Sequence, residues 1–157
     1  GIEQFKQDDF RKLQQIGRVL LKQSGIMADR FDWATAQIVT ALNALWQDEK
    51  GRWILSNHHH DIHSEWALTG VQQSELDHIV IDRSFIDAQG VRWIIDFKTG
   101  THGGTGIEDF LTRELQRYRP QLERYAQLLQ PMESRPIRLG LYFPVLGKWL
   151  EWEFSQR

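Results

Sequence analysis

The chain has 157 residues, of which 41% are hydrophobic and 25% are charged, and this balance predicts one folded domain with its own core. It contains no cysteine, which excludes a disulfide framework and thiolate metal sites and favours a reducing cytoplasm. No apolar run is long enough to cross a bilayer, so no membrane partner is expected, and the net charge of −2 gives no overall basic field.

The first third of the chain predicts two helices. Asp9 is placed to cap a helix that runs to about Leu21, with apolar residues at helical spacing, and Gly25 would close it. A second helix is predicted from about Trp33 to Trp46, because its apolar residues again recur every three or four positions.

The middle of the chain predicts strands. The apolar run 53–55 indicates a short strand or a turn, and residues 64–68 indicate another strand. Residues 78–87 and 91–98 are rich in β-branched and aromatic side chains and flank the turn-forming run 87–90, so they should pair as an antiparallel hairpin.

The remaining elements complete an α/β domain. The glycine-rich run 100–106 predicts a loop, and Pro120 suits the first turn of a helix that ends near Pro131. Residues 137–143 and 149–154 predict two further strands. The expected order is helix-helix-β-β-β-helix-β-β around a mixed sheet, within a single domain over residues 1–157.

Two acidic residues and a lysine are the candidate site of this domain. Side chains alternate along a strand, so Asp96 and Lys98 share a face, and Asp82 on the partner strand can converge on it. Crowding two carboxylates and an ammonium together is costly unless something binds there. A divalent cation held by the two aspartates would offset this cost. A surface ion pair on a hairpin is the alternative interpretation.

This pattern resembles the PD-(D/E)XK nuclease superfamily, and more narrowly the RecB/AddA-type C-terminal nuclease domain of bacterial UvrD-family helicase-nucleases. Asp82 matches the first aspartate of that family, and Asp96-Phe97-Lys98 matches its D-x-K motif. The resemblance implies a restriction-endonuclease-like core and Mg²⁺-dependent hydrolysis of DNA, with Mn²⁺ as a substitute. Asp82, Asp96 and the backbone carbonyl of Phe97 would hold the metal, and Lys98 would orient water or stabilise the transition state.

The RecB branch also has a helix with Gln-x-x-x-Tyr, matched here by Gln121 and Tyr125, so that the resemblance covers about residues 63 to 130. It implies that both side chains face the site, where Gln121 would hold Lys98 or a phosphate. Local hydrogen bonding is the alternative. Glu65 matches a family glutamate that assists the metal, although an ordinary strand carboxylate fits equally well.

The resemblance further implies a setting. The domain would act as an exonuclease in DNA end processing and recombinational repair, with the ATP-binding helicase domains of a longer chain, and possible further subunits, as partners. The family has a metal-binding histidine on an early helix, and the predicted helices at 10–21 and 33–46 contain none. We expect that histidine before Gly1, and therefore expect the chain alone to be a weak or inactive nuclease. A degenerate DNA-binding module and a stand-alone endonuclease are the alternatives.

Three other features have ordinary explanations. The histidine-rich run 58–63 lacks a second ligand group at zinc-finger spacing and predicts a polar surface loop. The glycine-rich run 100–106 lacks the ending of a phosphate-binding P-loop. Four arginines are interspersed with glutamates, as on a solvated helix face, although phosphate contacts are the alternative: Arg113, Arg117, Arg119 and Arg124.

Overall fold

The computed structural model describes residue 17, residues 31–100 and residues 106–155, so the predicted helix over 9–21 and most of the glycine-rich loop lie outside the described residues. The described part contains three α-helices and five strands. They are α1 (Phe31–Gln47), α2 (Glu49–Leu55), β1 (His60–Gln72), β2 (Glu75–Ile86), β3 (Arg92–Phe97), α3 (Ile107–Leu129) with a 3-10 turn (Gln130–Met132), β4 (Ile137–Phe143) and β5 (Lys148–Glu153).

The five strands form one mixed sheet in the order β1-β2-β3-β4-β5. Strands β3 and β4 run parallel, and every other neighbouring pair is antiparallel. One hydrophobic cluster lies between the sheet and α3. A second cluster, rich in aromatic rings, lies between the other face of the sheet and helices α1 and α2. The sheet is therefore flanked by helices on both faces, and the predicted α/β fold is confirmed.

The hairpin of β2 and β3 forms where the sequence predicts it. Asp87 closes the turn because its Oδ1 accepts the backbone N–H groups of Gln89 and Val91 at 2.9 and 3.0 Å. Gly90 has a φ of 79°, a conformation that a residue without a side chain adopts at little cost. This turn fixes the register in which Ile86 faces Arg92.

Residues 53–55 are helical, so the predicted strand or turn at this place is wrong. Asp48 caps α2 by accepting the N–H of Gly51 at 3.3 Å. A Cβ on Gly51 would lie 2.2 Å from the carbonyl oxygen of Leu45, so the glycine permits a close approach of α2 to α1 and does not break the helix. The short helix buries Ile54 and Leu55.

Helix α3 begins at Ile107, and Pro120 lies inside it, so the predicted start at Pro120 is wrong. Proline removes one helical hydrogen bond and costs roughly 3 kcal/mol in a helix interior. Buried residues on both sides of the proline, including Phe110 before it and Leu122 after it, offset that cost by packing on the sheet.

The histidine-rich run is only partly a surface loop. His59 is half-buried, its ring stacks on Phe85 with centroids 3.8 Å apart, and its Nε2 lies 2.6 Å from the carbonyl oxygen of Trp53. Burial, the largest effect, lowers the pKa of His59. The strand β1 already begins at His60, four residues before its predicted start at Ser64.

No helix among the described residues is long and apolar enough to cross a membrane.

Candidate active site

Asp96 and Lys98 meet at the C-terminal end of β3. Their side chains point to the same face, as the strand alternation predicts, and Lys98 Nζ lies 2.6 Å from Asp96 Oδ2. Both residues are buried, at 5% and 8% exposure. The backbone N–H of Lys98 donates to the carbonyl of Tyr142 on β4 at 2.8 Å, which anchors the end of the strand.

Asp82 joins this pair from β2 by an unexpected route. The backbone register of β2 and β3 reaches Arg83 opposite Ile95 and stops there. One residue further along β2, the Asp82 side chain replaces the backbone as the hydrogen-bond acceptor, because its Oδ2 accepts the N–H of Phe97 at 2.9 Å. The carboxylate therefore closes the gap where the two strands separate, and it lies beside Asp96. Together Asp82, Asp96 and Lys98 are called the acidic site below.

The direction of β2 side chains changes at Asp82. Ile81 packs into the cluster under α3, whereas Arg83, two residues on, donates from Nε to the carbonyl of Ile54 on the opposite face at 3.1 Å. In a regular strand these two side chains would share a face. The irregularity at Asp82 is what allows its carboxylate to turn toward β3.

The side chains of the neighbouring strand β1 also change faces, at the position opposite Asp82. On β1, Trp66 packs against the α3 cluster, whereas Ser64 accepts a hydrogen bond from Arg83 on the other face. Glu65 lies between them with a φ of 48°, a left-handed conformation that is strained for a residue with a side chain. The register on either side places Glu65 opposite Asp82. One strained backbone position thus lies next to the acidic site.

The acidic site is electrostatically unbalanced. Burial and then the charge of Asp96 raise the pKa of the Asp82 carboxyl well above its usual range, and the Phe97 N–H and Lys98 oppose this only in part. The Asp96 Oδ2 atom is buried and has an ion pair with Lys98, but no hydrogen bond of normal geometry reaches it. The half-buried Asp82 and the buried Asp96 have one neighbouring cation, Lys98, so a second cation in place of the Asp82 proton would balance the ionised pair.

Helix α3 covers the acidic site with the predicted glutamine and tyrosine. Gln121 Nε2 donates to the Tyr125 hydroxyl at 2.7 Å. Tyr125 is buried, and its pKa is raised by this burial first and then by the negative charges of Asp96 and Asp82. The local hydrogen bond between the two residues is therefore present, and Tyr125 lies on the face of α3 that packs on the sheet.

Sequence reasoning missed Tyr118. Its ring centroid lies 3.7 Å from Lys98 Nζ, a short cation–π contact. A signal for it was present, since Tyr118 precedes Gln121 by three residues and Tyr125 by seven, the spacing of one helix face.

The donor set of the acidic site suits a hard divalent cation. Carboxylate oxygens are the ligands that Mg²⁺ and Mn²⁺ prefer, and Asp82 and Asp96 supply two carboxylates. The backbone carbonyl of Phe97, the residue between Asp96 and Lys98 in the sequence, is the third candidate oxygen ligand. Among residues 31–100 and 106–155, no three His, Cys, Asp or Glu side chains group closely enough to hold a metal by themselves. Glu65 is therefore next to the site in register without completing it.

The four arginines all lie on α3 and differ in their partners. Arg119 is bound to Glu123 at 2.9 Å, as on an ordinary solvated helix face. Arg124 lies 3.4 Å from a carboxylate oxygen of Asp77. Arg117 is exposed, and its guanidinium lies 5.0 Å from the ring of Tyr118, next to the acidic site.

Comparisons with known proteins identify no family. No model of a known protein family matches this chain, and no curated protein matches it. The crystal structure of a protein named SSO0001 is similar over 93% of this chain, with 14% sequence identity and a TM-score of 0.35, and this chain spans 66% of that one. A similarity of this size carries no argument about fold or function.

Proposed function

We propose that this chain hydrolyses phosphodiester bonds of DNA with the help of Mg²⁺, as the exonuclease domain of a helicase-nuclease in DNA end processing and recombinational repair. The observation that carries the proposal is the pair of neighbouring carboxyls Asp82 and Asp96 beside Lys98, in which burial and the charge of Asp96 raise the pKa of Asp82.

The charge count of the acidic site favours a cation as its ligand. With both carboxyls ionised, two carboxylates and one ammonium would carry an excess negative charge, which is costly away from water, and the raised pKa of Asp82 means that this carboxyl keeps a proton instead. A cation bound by Asp82, Asp96 and the Phe97 carbonyl would remove that cost. When bound, the metal would lower the pKa of a coordinated water and polarise the phosphate.

The chain's own residues supply the rest of the chemistry. Lys98 is a buried cation fixed next to the carboxylates, a position from which it would stabilise the negative charge that develops on the phosphate. Tyr125 and Gln121 hold each other in a defined orientation over the same site. As the RecB-type pattern implies, Gln121 would hold Lys98 or a substrate phosphate through its amide.

DNA as the substrate is supported by the surroundings of the acidic site. Arg117 on α3 is exposed and lies over the ring of Tyr118, which also contacts Lys98 of the acidic site. Phosphate contacts of this kind position a backbone without reading its sequence. The helicase partners and the repair setting rest on the RecB-type pattern of Asp82, Asp96-Phe97-Lys98 and Gln121-x-x-x-Tyr125.

Calorimetric titration with Mn²⁺ tests the metal site. The wild-type chain should bind the ion, and Asp82→Asn should bind it much more weakly because one of two carboxylate ligands is lost. Asp77→Asn is the matched control, since Asp77 lies on the same strand but pairs with Arg124. Equal binding by wild type and Asp82→Asn would refute the assignment.

Digestion of linear and covalently closed circular DNA in millimolar Mg²⁺ then tests the reaction. Loss of linear DNA from its ends with circular DNA intact is the expected result. Cleavage of the circle would indicate an endonuclease. Neither metal binding nor cleavage, also in a longer chain that carries helicase domains, would indicate the degenerate DNA-binding module.

A further inference from the structure

Lys98 has two contacts on different sides of its ammonium group. Asp96 Oδ2 lies 2.6 Å from Nζ, and the centroid of the Tyr118 ring lies 3.7 Å from the same atom. The first contact joins the lysine to its own strand, and the second joins it to α3. The ammonium is therefore held between a carboxylate and the face of an aromatic ring.

The two contacts would respond differently to a cation in the acidic site. A metal that takes up the charge of Asp96 weakens the attraction between Asp96 and Lys98 and also repels the ammonium. Lysine has a flexible four-carbon stem, so an ammonium that loses its carboxylate would become disordered. The attraction between the ring face and the ammonium does not depend on Asp96, and it remains when the carboxylate is occupied.

We propose that Tyr118 is a positioning residue for Lys98, whose ring holds the ammonium in the catalytic place when a metal occupies the carboxylates. The inference deepens the proposed function and rests on it for the kinetic part. It assigns the role to the ring face and not to the hydroxyl, since the contact is with the ring centroid.

Arg117 shares the ring, because its guanidinium carbon lies 5.0 Å from the Tyr118 centroid. A loss of activity on removing the ring could therefore act through either cation. Arg117→Gln separates the two, since it removes the outer cation and leaves the ring and Lys98 in place.

The first test reads the position of Lys98 without activity. Protons over the face of an aromatic ring resonate upfield, so the side-chain εCH₂ of Lys98, assigned by its disappearance in Lys98→Arg, should be shifted upfield by NMR. The shift should persist in Tyr118→Phe and Arg117→Gln, with and without Mg²⁺, and disappear in Tyr118→Leu and Tyr118→Gln. An unchanged resonance in both ringless variants would overturn the proposal.

The second test is kinetic. Tyr118→Phe should keep the wild-type kcat, whereas Tyr118→Leu should lose roughly tenfold, the size of a partly desolvated cation–π contact. KM for DNA and the affinity for Mn²⁺ should stay within about twofold, since Tyr118 is proposed to touch neither. A wild-type kcat in Tyr118→Leu, with Asp82→Asn inactive, would overturn the proposal alone. If wild type binds no metal and cuts no DNA, also in a longer chain that carries the proposed helicase domains, the proposed function fails, and the resonance by itself decides whether Tyr118 holds Lys98.

Discussion

Strand β3 holds a buried cation near each end, and the two cations have different surroundings. At the N-terminal end, Arg92 is 2% exposed and lies between two carboxylates, Asp61 and Glu133, with which it forms the Arg92 cluster. Its Nε donates to Glu133 at 2.9 Å, one Nη donates to the Asp61 carboxylate, and the other donates to Ser84 Oγ at 3.3 Å. Each of the three guanidinium nitrogens of Arg92 therefore donates a hydrogen bond.

The acidic site at the other end also has two carboxylates and one cation, yet its electrostatics are opposite. Hydrogen bonding to Arg92 lowers the pKa of Asp61, and at Glu133 burial raises the pKa but the bonds from Arg92 and Arg135 outweigh it and lower it. The pKa of Asp82 is raised instead. At the Arg92 cluster an arginine bridges the two acids and Glu133 has Arg135 as a second partner, whereas at the acidic site a lysine contacts one acid. This difference suits a structural role for the first cluster and the proposed cation-binding role for the second.

The largest expected effect is on stability, at the Arg92 cluster. Arg92→Ala should lower the free energy of unfolding by about 3 to 5 kcal/mol, because it leaves the buried Glu133 without its main partner. Urea unfolding measures this. Arg135→Ala is the control, since Arg135 pairs with the same Glu133 from the surface, and it should cost less than about 1 kcal/mol. Similar losses in both variants would contradict the structural role of Arg92.

At the acidic site the effect should be on the reaction. Lys98→Ala should reduce kcat by about a hundredfold, equivalent to about 2.7 kcal/mol, because it removes a cation from the transition state. Affinity for Mn²⁺ should stay the same or rise, since a repelling charge is gone. Single-turnover DNA cleavage in a chain that carries the proposed helicase domains is the measurement, with exposed Lys148→Ala as control. If the mutant cleaves DNA as fast as wild type, Lys98 has no catalytic role.

The two clusters should also respond to pH in opposite directions. Because the folded pKa of Asp82 is raised, the metal-free folded protein keeps a proton that the unfolded chain releases above about pH 4, so stability should fall as pH rises toward the folded pKa. The lowered pKa values of Asp61 and Glu133 give stability that is present above about pH 4 and is lost as pH falls through those values.

Urea unfolding in EDTA between about pH 3 and about pH 8 distinguishes the two contributions. Asp82→Asn should flatten the alkaline side of the profile and leave the acid side unchanged. Glu133→Gln should flatten the acid side in part. An alkaline slope in Asp82→Asn equal to that of wild type would mean that another group titrates there.

The smallest effect should come from an ion pair outside both clusters. Arg119 and Glu123 pair across one turn of α3 at 2.9 Å, and their side chains are 47% and 35% exposed. Such pairs contribute about 0.3 to 0.5 kcal/mol, so Glu123→Gln should hardly change the unfolding midpoint or DNA cleavage. A loss above about 1 kcal/mol would show that the surface of α3 is coupled to the site beneath it.

The sequence predicts most elements of the fold because their signals are local. The hairpin turn at Asp87–Gly90 and the strand over residues 137–143 depend on residues next to one another, and both are found. Two predictions failed for tertiary reasons. Residues 53–55 are helical because α1 packs closely over Gly51, and α3 continues through Pro120 because the sheet buries both of its halves.

The candidate site was predictable by residue type but not by geometry. The alternation rule placed Asp96 beside Lys98, since both lie on one strand. The sequence predicted that Asp82 could converge on the same face but not the route, since the β2 side chains change faces at Asp82, opposite the strained Glu65. The alternation rule assumes a regular strand, so it does not predict where the side chains of a strand change faces. The contact of Tyr118 with Lys98 likewise depends on how α3 lies over β3.

The hydrogen bond from Phe97 to Asp82 turns a single amide into a reporter of the site. That N–H is protected by a side chain where β2 and β3 have already separated, so its rate of exchange with deuterated water depends on the orientation of one carboxylate. A ligand that draws Asp82 away would expose the amide, and one that fixes the carboxylate would slow its exchange. The exchange rate of the Phe97 amide would thus report whether the acidic site is occupied, without any substrate present.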